Sequence, residues 1–170
     1  MKSGVKVTAD KAADVLASLR QLSGMDVLVG IPENKAARDD GSPMSNAELG
    51  YLQSTGATVE IDGETVTLPP RPFLEMGIED SKTRTTAHLK AAAVAALDGK
   101  PDAAMRELES AGQIARDASK AVIGAGDRLH PLSEATLERR RTSKPPIPGD
   151  KPLYAKGSLL KSINYVVRKK

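Results

Sequence analysis

Small and apolar residues recur along residues 101–123 at alternating steps of four and three. This spacing places them on one face of an α-helix, where alanine lets a neighbouring helix approach closely. We therefore predict a long helix that begins at Pro101. A second long helix is predicted after Pro72, ending near Leu97 and weakened by Gly77. The residues of the apolar face are Ala104, Leu108, Ala111, Ala115, Ala118 and Val122.

The chain has few large side chains with which to fill a core. Its 170 residues include one Phe, three Tyr and no Trp, whereas aromatic side chains normally supply much of the buried area. A chain of this length buries about two-thirds of its unfolded surface, so we expect a core, but a thin one. Contacts with other subunits can replace part of the missing burial.

The composition also excludes several kinds of site. Cysteine is absent, which rules out disulfides, thiolate metal sites and cysteine nucleophiles. No apolar stretch approaches the ~18 residues of a membrane span, and the amino-terminal residues lack the apolar centre of a signal peptide. We expect a soluble intracellular product with no membrane partner.

The net charge of +3 is unevenly distributed along the chain. Residues 128–170 contain eleven Lys or Arg against three Asp or Glu, a balance of +8, so residues 1–127 carry −5. Such asymmetry suits complementary surfaces on neighbouring subunits, or contact with DNA. The basic residues lack the aromatic neighbours that stack on bases, which disfavours specific nucleic-acid recognition.

Local patterns predict both helices and strands in the amino-terminal part of the chain. A polar loop at residues 33–43 contains a pair of aspartates that matches no calcium motif, so we expect it to be solvated. Period-two alternation over residues 57–68 and again over residues 163–167 predicts strands that belong to one small mixed sheet. The remaining predicted elements are a helix over residues 8–22, a buried strand over residues 26–31, and a short helix that begins at a capping box formed by Ser45 and Glu48.

No residue pattern in the sequence is typical of an active site. His88 and His130 are the only histidines, and neither has a second histidine at metal-binding spacing. The serines lack a nucleophile-elbow context, and the glycines do not form a phosphate loop. We expect no enzyme activity, no cofactor and no metal site.

The proline-rich corner at residues 69–74 holds two candidate functional residues. Arg71 lies between Pro70 and Pro72, which fix the direction of the chain. It either clamps a carboxylate of a neighbouring subunit or lies beside the start of the following helix. Phe73 is the only phenylalanine and is assigned to the core, with an interface role as the alternative.

The basic third of the chain holds the other candidates. Arg139, Arg140 and Arg141 end a short helix that we predict from a Ser133 cap, and cations suit that end of the helix dipole. The segment that follows is rich in proline and is predicted to be an extended linker. The predicted organisation is a domain over residues 1–141, a linker over residues 142–151 and a closing turn and strand over residues 152–170 that packs back on the domain.

Five short segments form an ordered set of motifs. They are Val-Gly-Ile-Pro at residues 29–32, a short helix at residues 46–56, Pro-Pro-Arg-Pro-Phe-Leu at residues 69–74, Pro-Leu-Ser-x-x-Thr at residues 131–136, and the closing segment at residues 152–167. Together they resemble the small tail-completion, or head–tail joining (neck), proteins of long-tailed bacteriophages. The closing segment resembles that family in its Pro-Leu, Gly-x-Leu and Ser-Ile pieces, although Lys156 stands where the family often has threonine.

This resemblance implies a structural virion protein without catalytic residues. The implied fold is α+β, with a small antiparallel or mixed β-sheet, long helices and extended loops. The implied assembly is a homo-oligomeric ring, commonly of six, that completes the tail or joins it to the head, in a virion assembled in the host cytoplasm. The candidate interface or junction residues on this chain are Arg71, Phe73, Arg139, Arg140, Arg141 and Lys156.

The partners implied are further copies of the chain, neighbouring neck and tail proteins, and passing DNA contacted without sequence specificity. The main alternative from the residues themselves is a DNA-binding or DNA-packaging accessory protein that uses the basic carboxy-terminal third. A small hydrolase with an unrecognised site is the least favoured alternative. Salt-dependent DNA binding would favour the accessory protein, and a discrete ring would favour the virion protein.

Overall fold

The computed structural model describes residues 11–38, 43–61 and 63–170. The chain is of the α+β class, as predicted. The predicted helix start at Thr8, the paired aspartates at residues 39–40 and the turn residue Asp62 lie outside the described residues. The elements are α1 (Ala12–Ser23), β1 (Met25–Gly30), α2 (Asn46–Thr55), β2 (Ala57–Ile61), β3 (Glu64–Leu68), α3 (Phe73–Leu97), α4 (Pro101–Ala125), α5 (Glu134–Thr142), α6 (Ser158–Ser162) and β4 (Asn164–Lys169), with a 3₁₀ turn at Glu33–Lys35.

Helices α3 and α4 form a long helical hairpin that is the centre of the fold. The predicted face of α4 is the buried one, with one difference: Ala118 is only half-buried, and Ser119 is fully buried in its place. Gly77 of α3 explains the difference, because a Cβ at this position would lie 2.3 Å from the Ser119 Cα. The glycine that was expected to weaken α3 therefore marks the closest approach of the two helices. None of the helices in the described part of the chain combines the length and hydropathy needed to cross a bilayer.

The closing strand β4 pairs with β1 in an antiparallel, two-stranded sheet. Val27 lies opposite Val167, and Val29 lies opposite Tyr165. This inner face of the sheet packs on α4, where a Cβ at Gly112 would lie 2.4 Å from the Tyr165 Cδ2. The sheet thus fastens the strand that follows α1 and the carboxy-terminal strand to the helical hairpin.

Strands β2 and β3 form a second antiparallel pair, with Ala57 opposite Leu68. The prediction that this hairpin and the closing strand share one mixed sheet is therefore wrong for the described chain. The closing strand is paired with β1 instead, since its apolar residues and those of β1 together cover α4. The β2–β3 hairpin is directed elsewhere by Gly56, whose φ of 73° and ψ of 161° are accessible essentially to glycine alone.

The core consists of two clusters at opposite ends of the helical hairpin. The cluster at the amino-terminal end of α3 contains large side chains, namely Phe73, Val122, Ile123, Leu129, Leu159 and Ile163. The cluster at the other end contains mostly alanine, namely Ala92, Ala96, Ala104 and Leu108, with Leu19, Leu22 and strand residues packed against it. The thin core expected from the composition is thus concentrated in the first cluster.

Candidate functional site

Residues from all five motif segments meet at one place beside the first core cluster. Gly50 of α2 lies at the centre, because a Cβ there would be 2.9 Å from Ile31 Cδ1, 3.5 Å from Leu159 Cδ1 and 3.7 Å from Phe73 Cζ. A Cβ at residue 50 would therefore displace the end of the Ile31 side chain and would be in contact with residues of two further motif segments. We call this region, formed by Ile31, Gly50, Arg71, Phe73, residues 130–131 and Leu159, the motif junction.

Arg71 ties the remaining motif segment into the motif junction. Its Nε donates to the His130 carbonyl at 2.7 Å, and its Nη2 donates to the Pro131 carbonyl at 3.0 Å. Its Nη1 donates to Gln53 Oε1 at 2.9 Å, and the backbone N–H of Arg71 donates to the Gln53 carbonyl at 2.7 Å. The side chain is only 5% exposed, and burial lowers the pKa of its guanidinium. Arg71 thus acts inside the subunit and is not available as a surface clamp.

A second set of polar contacts joins α2 to the closing segment. The Asn46 backbone N–H donates to the Ala36 carbonyl at 2.7 Å, and Asn46 Nδ2 donates to Ser158 Oγ at 3.2 Å. The predicted capping box is present, since Ser45 Oγ accepts from the Glu48 N–H and Glu48 Oε2 accepts from the Ser45 N–H. These hydrogen bonds lower the pKa of Glu48. The start of α2 is therefore fixed relative to both the chain after β1 and the chain before α6.

The two candidates of the proline-rich corner both point inward. Phe73 is fully buried in the first core cluster, so its ring is not accessible to another subunit. Gln53, Asn46 and Gly50 were not among the candidates from the sequence, although Gln53 and Gly50 contact residues of the motif junction and Asn46 joins α2 to the closing segment. The only local signal for them is their membership of the α2 motif, because their partners are distant in sequence.

The basic candidates lie on a different surface. The side chains of Arg139, Arg141 and Lys156 are exposed, and Arg141 forms an ion pair with Glu138 at 3.3 Å. Arg140 is half-buried, and its Nη1 donates to the carbonyls of Gly149 and Lys151, each at 3.2 Å. Arg140 therefore fastens the proline-rich segment to α5.

One ion pair links α3 to the loop after α4. Both guanidinium Nη atoms of Arg128 donate to the Asp80 carboxylate, with a distance of 3.1 Å from Nη1 to Oδ1. The hydrogen bond to Arg128 lowers the pKa of Asp80 and raises that of Arg128. The ion pair therefore joins α3 to the loop between α4 and α5, which leads to residues 130–131 of the motif junction.

The surface also carries many large apolar side chains. Tyr51 is 69% exposed, although α2 places it beside Met44 and Ala47 on one apolar face. Isolated exposed apolar residues are common on folded proteins. Among the described residues, the exposed large apolar side chains are Leu16, Leu28, Met44, Tyr51, Ile78, Leu89, Val94, Leu97, Tyr154 and Val166.

Each histidine has a polar contact within the subunit. His88 Nδ1 lies 2.6 Å from Glu107 Oε2, a contact that links α3 to α4. His130 Nδ1 lies 3.1 Å from the Pro131 carbonyl. Within residues 11–38, 43–61 and 63–170, no three His, Asp or Glu side chains lie close enough together to hold a metal ion.

Comparison of the chain with protein-family models, with curated proteins and with solved structures gave no match.

Proposed function

We propose that this protein is a structural subunit of a phage virion, which forms a homo-oligomeric ring at the neck and completes the tail or joins it to the head. The location is the virion, at the junction between tail and head. The partners are other copies of the chain and the adjoining neck and tail proteins. A ring of six is the size that the family resemblance suggests.

The observation that carries this proposal is the meeting of the five motif segments at the motif junction. Each motif is short, and each alone would be weak support for a family. Residues of these segments that lie far apart in the sequence nevertheless contact one another, as Arg71 does with Pro131 and Gly50 does with Leu159. Proteins that share a fold are expected to share the residues that hold its segments together. Because the five motifs contact one another in this chain, their common order supports the family resemblance.

The surface supports self-assembly as the way in which the subunit functions. Obligate subunit interfaces resemble a hydrophobic core divided between chains. The exposed apolar residues of α2, α3 and the β1–β4 sheet, such as Tyr51, Val94 and Val166, would supply such an interface. The uneven charge, −5 over residues 1–127 and +8 over residues 128–170, gives each copy regions of opposite sign for its neighbours.

A DNA-binding accessory protein is the second candidate, because Arg139, Arg141 and Lys156 are exposed. Arg140 and Arg141 are engaged by carbonyls and by Glu138 within the subunit, so these two side chains are less available to contact phosphates. A protein that neutralises several phosphates would bind DNA with an affinity that falls steeply with salt. The ring subunit would show only weak, nonspecific binding of this kind.

Deletion of the gene from the phage or prophage that carries it tests the proposed function. Heads and tails should each form, but they should not join stably, so electron microscopy should show DNA-filled heads beside free or malformed tails. Supplying the wild-type protein from a plasmid should restore joined particles. Intact infectious particles at normal yield from the deleted phage would contradict the proposal.

A further inference from the structure

The β2–β3 hairpin stands apart from the rest of the subunit. Its two strands pair only with each other, and no other helix or strand among the described elements packs extensively on it. An isolated two-stranded hairpin is at best marginally stable in water. This hairpin therefore lacks, within its own described chain, the support that such an element normally needs.

The hairpin also has one apolar face. Successive side chains of a strand point to opposite faces, so Ala57, Val66 and Leu68 share one face by their register. All three are half-buried, whereas the threonines of the opposite face, Thr58 and Thr67, are exposed. The apolar face is the one that a further packing partner would cover.

The charge of the hairpin is entirely acidic. Residues 57–70 contain three acidic residues, Glu60, Asp62 and Glu64, and neither lysine nor arginine. A partner surface for the hairpin is therefore expected to be basic as well as able to accept an added strand.

The β1–β4 sheet presents such a surface. It has only two strands, and no other described strand pairs with the free edge of β4. Its outer face exposes Leu28 and Val166, which lie opposite each other and are 42% and 40% exposed. The end of β4 is basic, because Arg168 and Lys169 are exposed. Lys170, which follows them, is paired with Asp26 of β1 at 3.4 Å in the same chain.

We propose that the β2–β3 hairpin of one copy adds to the free edge of β4 in the next copy, so that the two form a four-stranded intersubunit sheet. The strands are of similar length, five residues in the hairpin and six in β4, and strand addition to an exposed edge is a common mode of recognition. The contact joins two different surfaces, and such head-to-tail contacts generate a closed ring when the rotation between successive copies closes. The inference rests on the proposed self-assembly and identifies the two surfaces through which neighbouring copies make contact.

Charge reversal tests this contact directly. One variant reverses the hairpin (E60K/D62K/E64K), and a second reverses the edge (R168E/K169E) and leaves Lys170 in its ion pair with Asp26. Each alone brings like charges together and should raise the midpoint concentration of assembly by at least about tenfold. An equimolar mixture should assemble again, because each reversed hairpin then meets a reversed edge and each unchanged hairpin meets an unchanged edge. A control with exposed charges reversed on α4, D102K/E109K, should assemble like the wild type.

A second measurement guards against misfolded variants. The chain has no cysteine, so the pair Val66→Cys and Val166→Cys in one chain, on the apolar faces of the hairpin and of the β1–β4 sheet, should give a ladder of disulfide-linked oligomers under mild oxidation. Each single cysteine variant should give dimers at most.

The possible results separate this inference from the proposed function. If the wild type assembles but neither reversal weakens assembly, or if cysteine ladders do not form, the hairpin contact is wrong and the ring subunit stands. Assembly that both reversals abolish and that mixing does not restore would also overturn the hairpin contact. A wild-type chain that stays monomeric would contradict both.

Discussion

The two ends of the α3–α4 hairpin are built from the same helices but packed in different ways. At the motif junction, large side chains such as Phe73 and Ile123 are fully buried, and hydrogen bonds from Arg71 to the carbonyls of His130 and Pro131 fix the chain segments around them. At the far end, the helices meet through alanines such as Ala92 and Ala96, which bring the backbones close but bury little apolar area each.

The difference shows where apolar side chains are buried within one subunit and where their burial depends on contact with neighbouring subunits. The motif junction covers its large apolar residues within one chain. The far end leaves Leu89, Val94 and Leu97 between 44% and 49% exposed, and Val94 lines a shallow groove of alanines on the outside of the hairpin. We therefore expect the motif junction to set the stability of the single subunit, and the far end to gain burial on assembly.

Phe73→Ala should have the largest effect on the isolated subunit. Loss of this fully buried ring should lower the free energy of unfolding by about 3–5 kcal/mol. Leu89→Ala is the matched control on the same helix, and since that side chain is 44% exposed, its effect should lie within about 0.5 kcal/mol. Urea unfolding at a concentration where the protein is monomeric would measure both. An equal loss of unfolding free energy in Phe73→Ala and Leu89→Ala would contradict the proposed difference between the two ends of the α3–α4 hairpin.

Gly77→Ala should have the next largest effect, because the new methyl group would meet the backbone of Ser119 at 2.3 Å. Forcing the helices apart should cost about 1–3 kcal/mol. Gly124→Ala is the control, since no atom lies within 4 Å of a Cβ at that helical position. That change should stabilise the protein by up to about 1 kcal/mol through helix propensity. A Gly77→Ala variant as stable as the Gly124→Ala variant would mean that the helices do not approach so closely.

Acid should produce the smallest of these effects, at the link between α3 and the loop after α4. The hydrogen bond from Arg128 lowers the pKa of Asp80 below its ordinary value of 3.8. A carboxyl whose pKa is lower in the folded state contributes stability above pH 3.8, and this is lost as the pH falls through the folded-state value. The wild type should therefore be more stable than Asp80→Asn at about pH 6, and the difference should shrink as the pH falls below 3.8 and disappear once Asp80 is protonated in the folded state. Thermal unfolding of both proteins across this range would measure it, and a difference that grows in acid would contradict the assignment.

Local features of the fold could be predicted from the sequence because their signals are local. The capping box of Ser45 and Glu48, the α5 cap at Ser133 and the end of α3 near Leu97 all lie where the sequence placed them. The burial of Phe73 follows from a lone aromatic residue just after a rigid corner. Each of these depends on residues within a few positions of one another.

Features that depend on distant partners could not be predicted. The sequence predicts β4 from its alternation, but it does not indicate that β1, far along the chain, is its partner. Arg71 donates hydrogen bonds to the backbone carbonyls of residues 130–131. Because every residue has a backbone carbonyl, the sequence does not indicate which ones will accept. Gly77 was expected only to weaken a helix, because the residue that approaches it, Ser119, lies on another helix.

The central claim, that this subunit is built to assemble with copies of itself, is tested most directly by the mass and shape of the purified wild-type protein. Sedimentation velocity and native mass spectrometry over a wide range of concentration should show one discrete multiple of the 17.9 kDa chain. Negative-stain electron microscopy of that species should show closed rings with a central opening. A 17.9 kDa monomer at every concentration, with no ring in the micrographs, would contradict the claim.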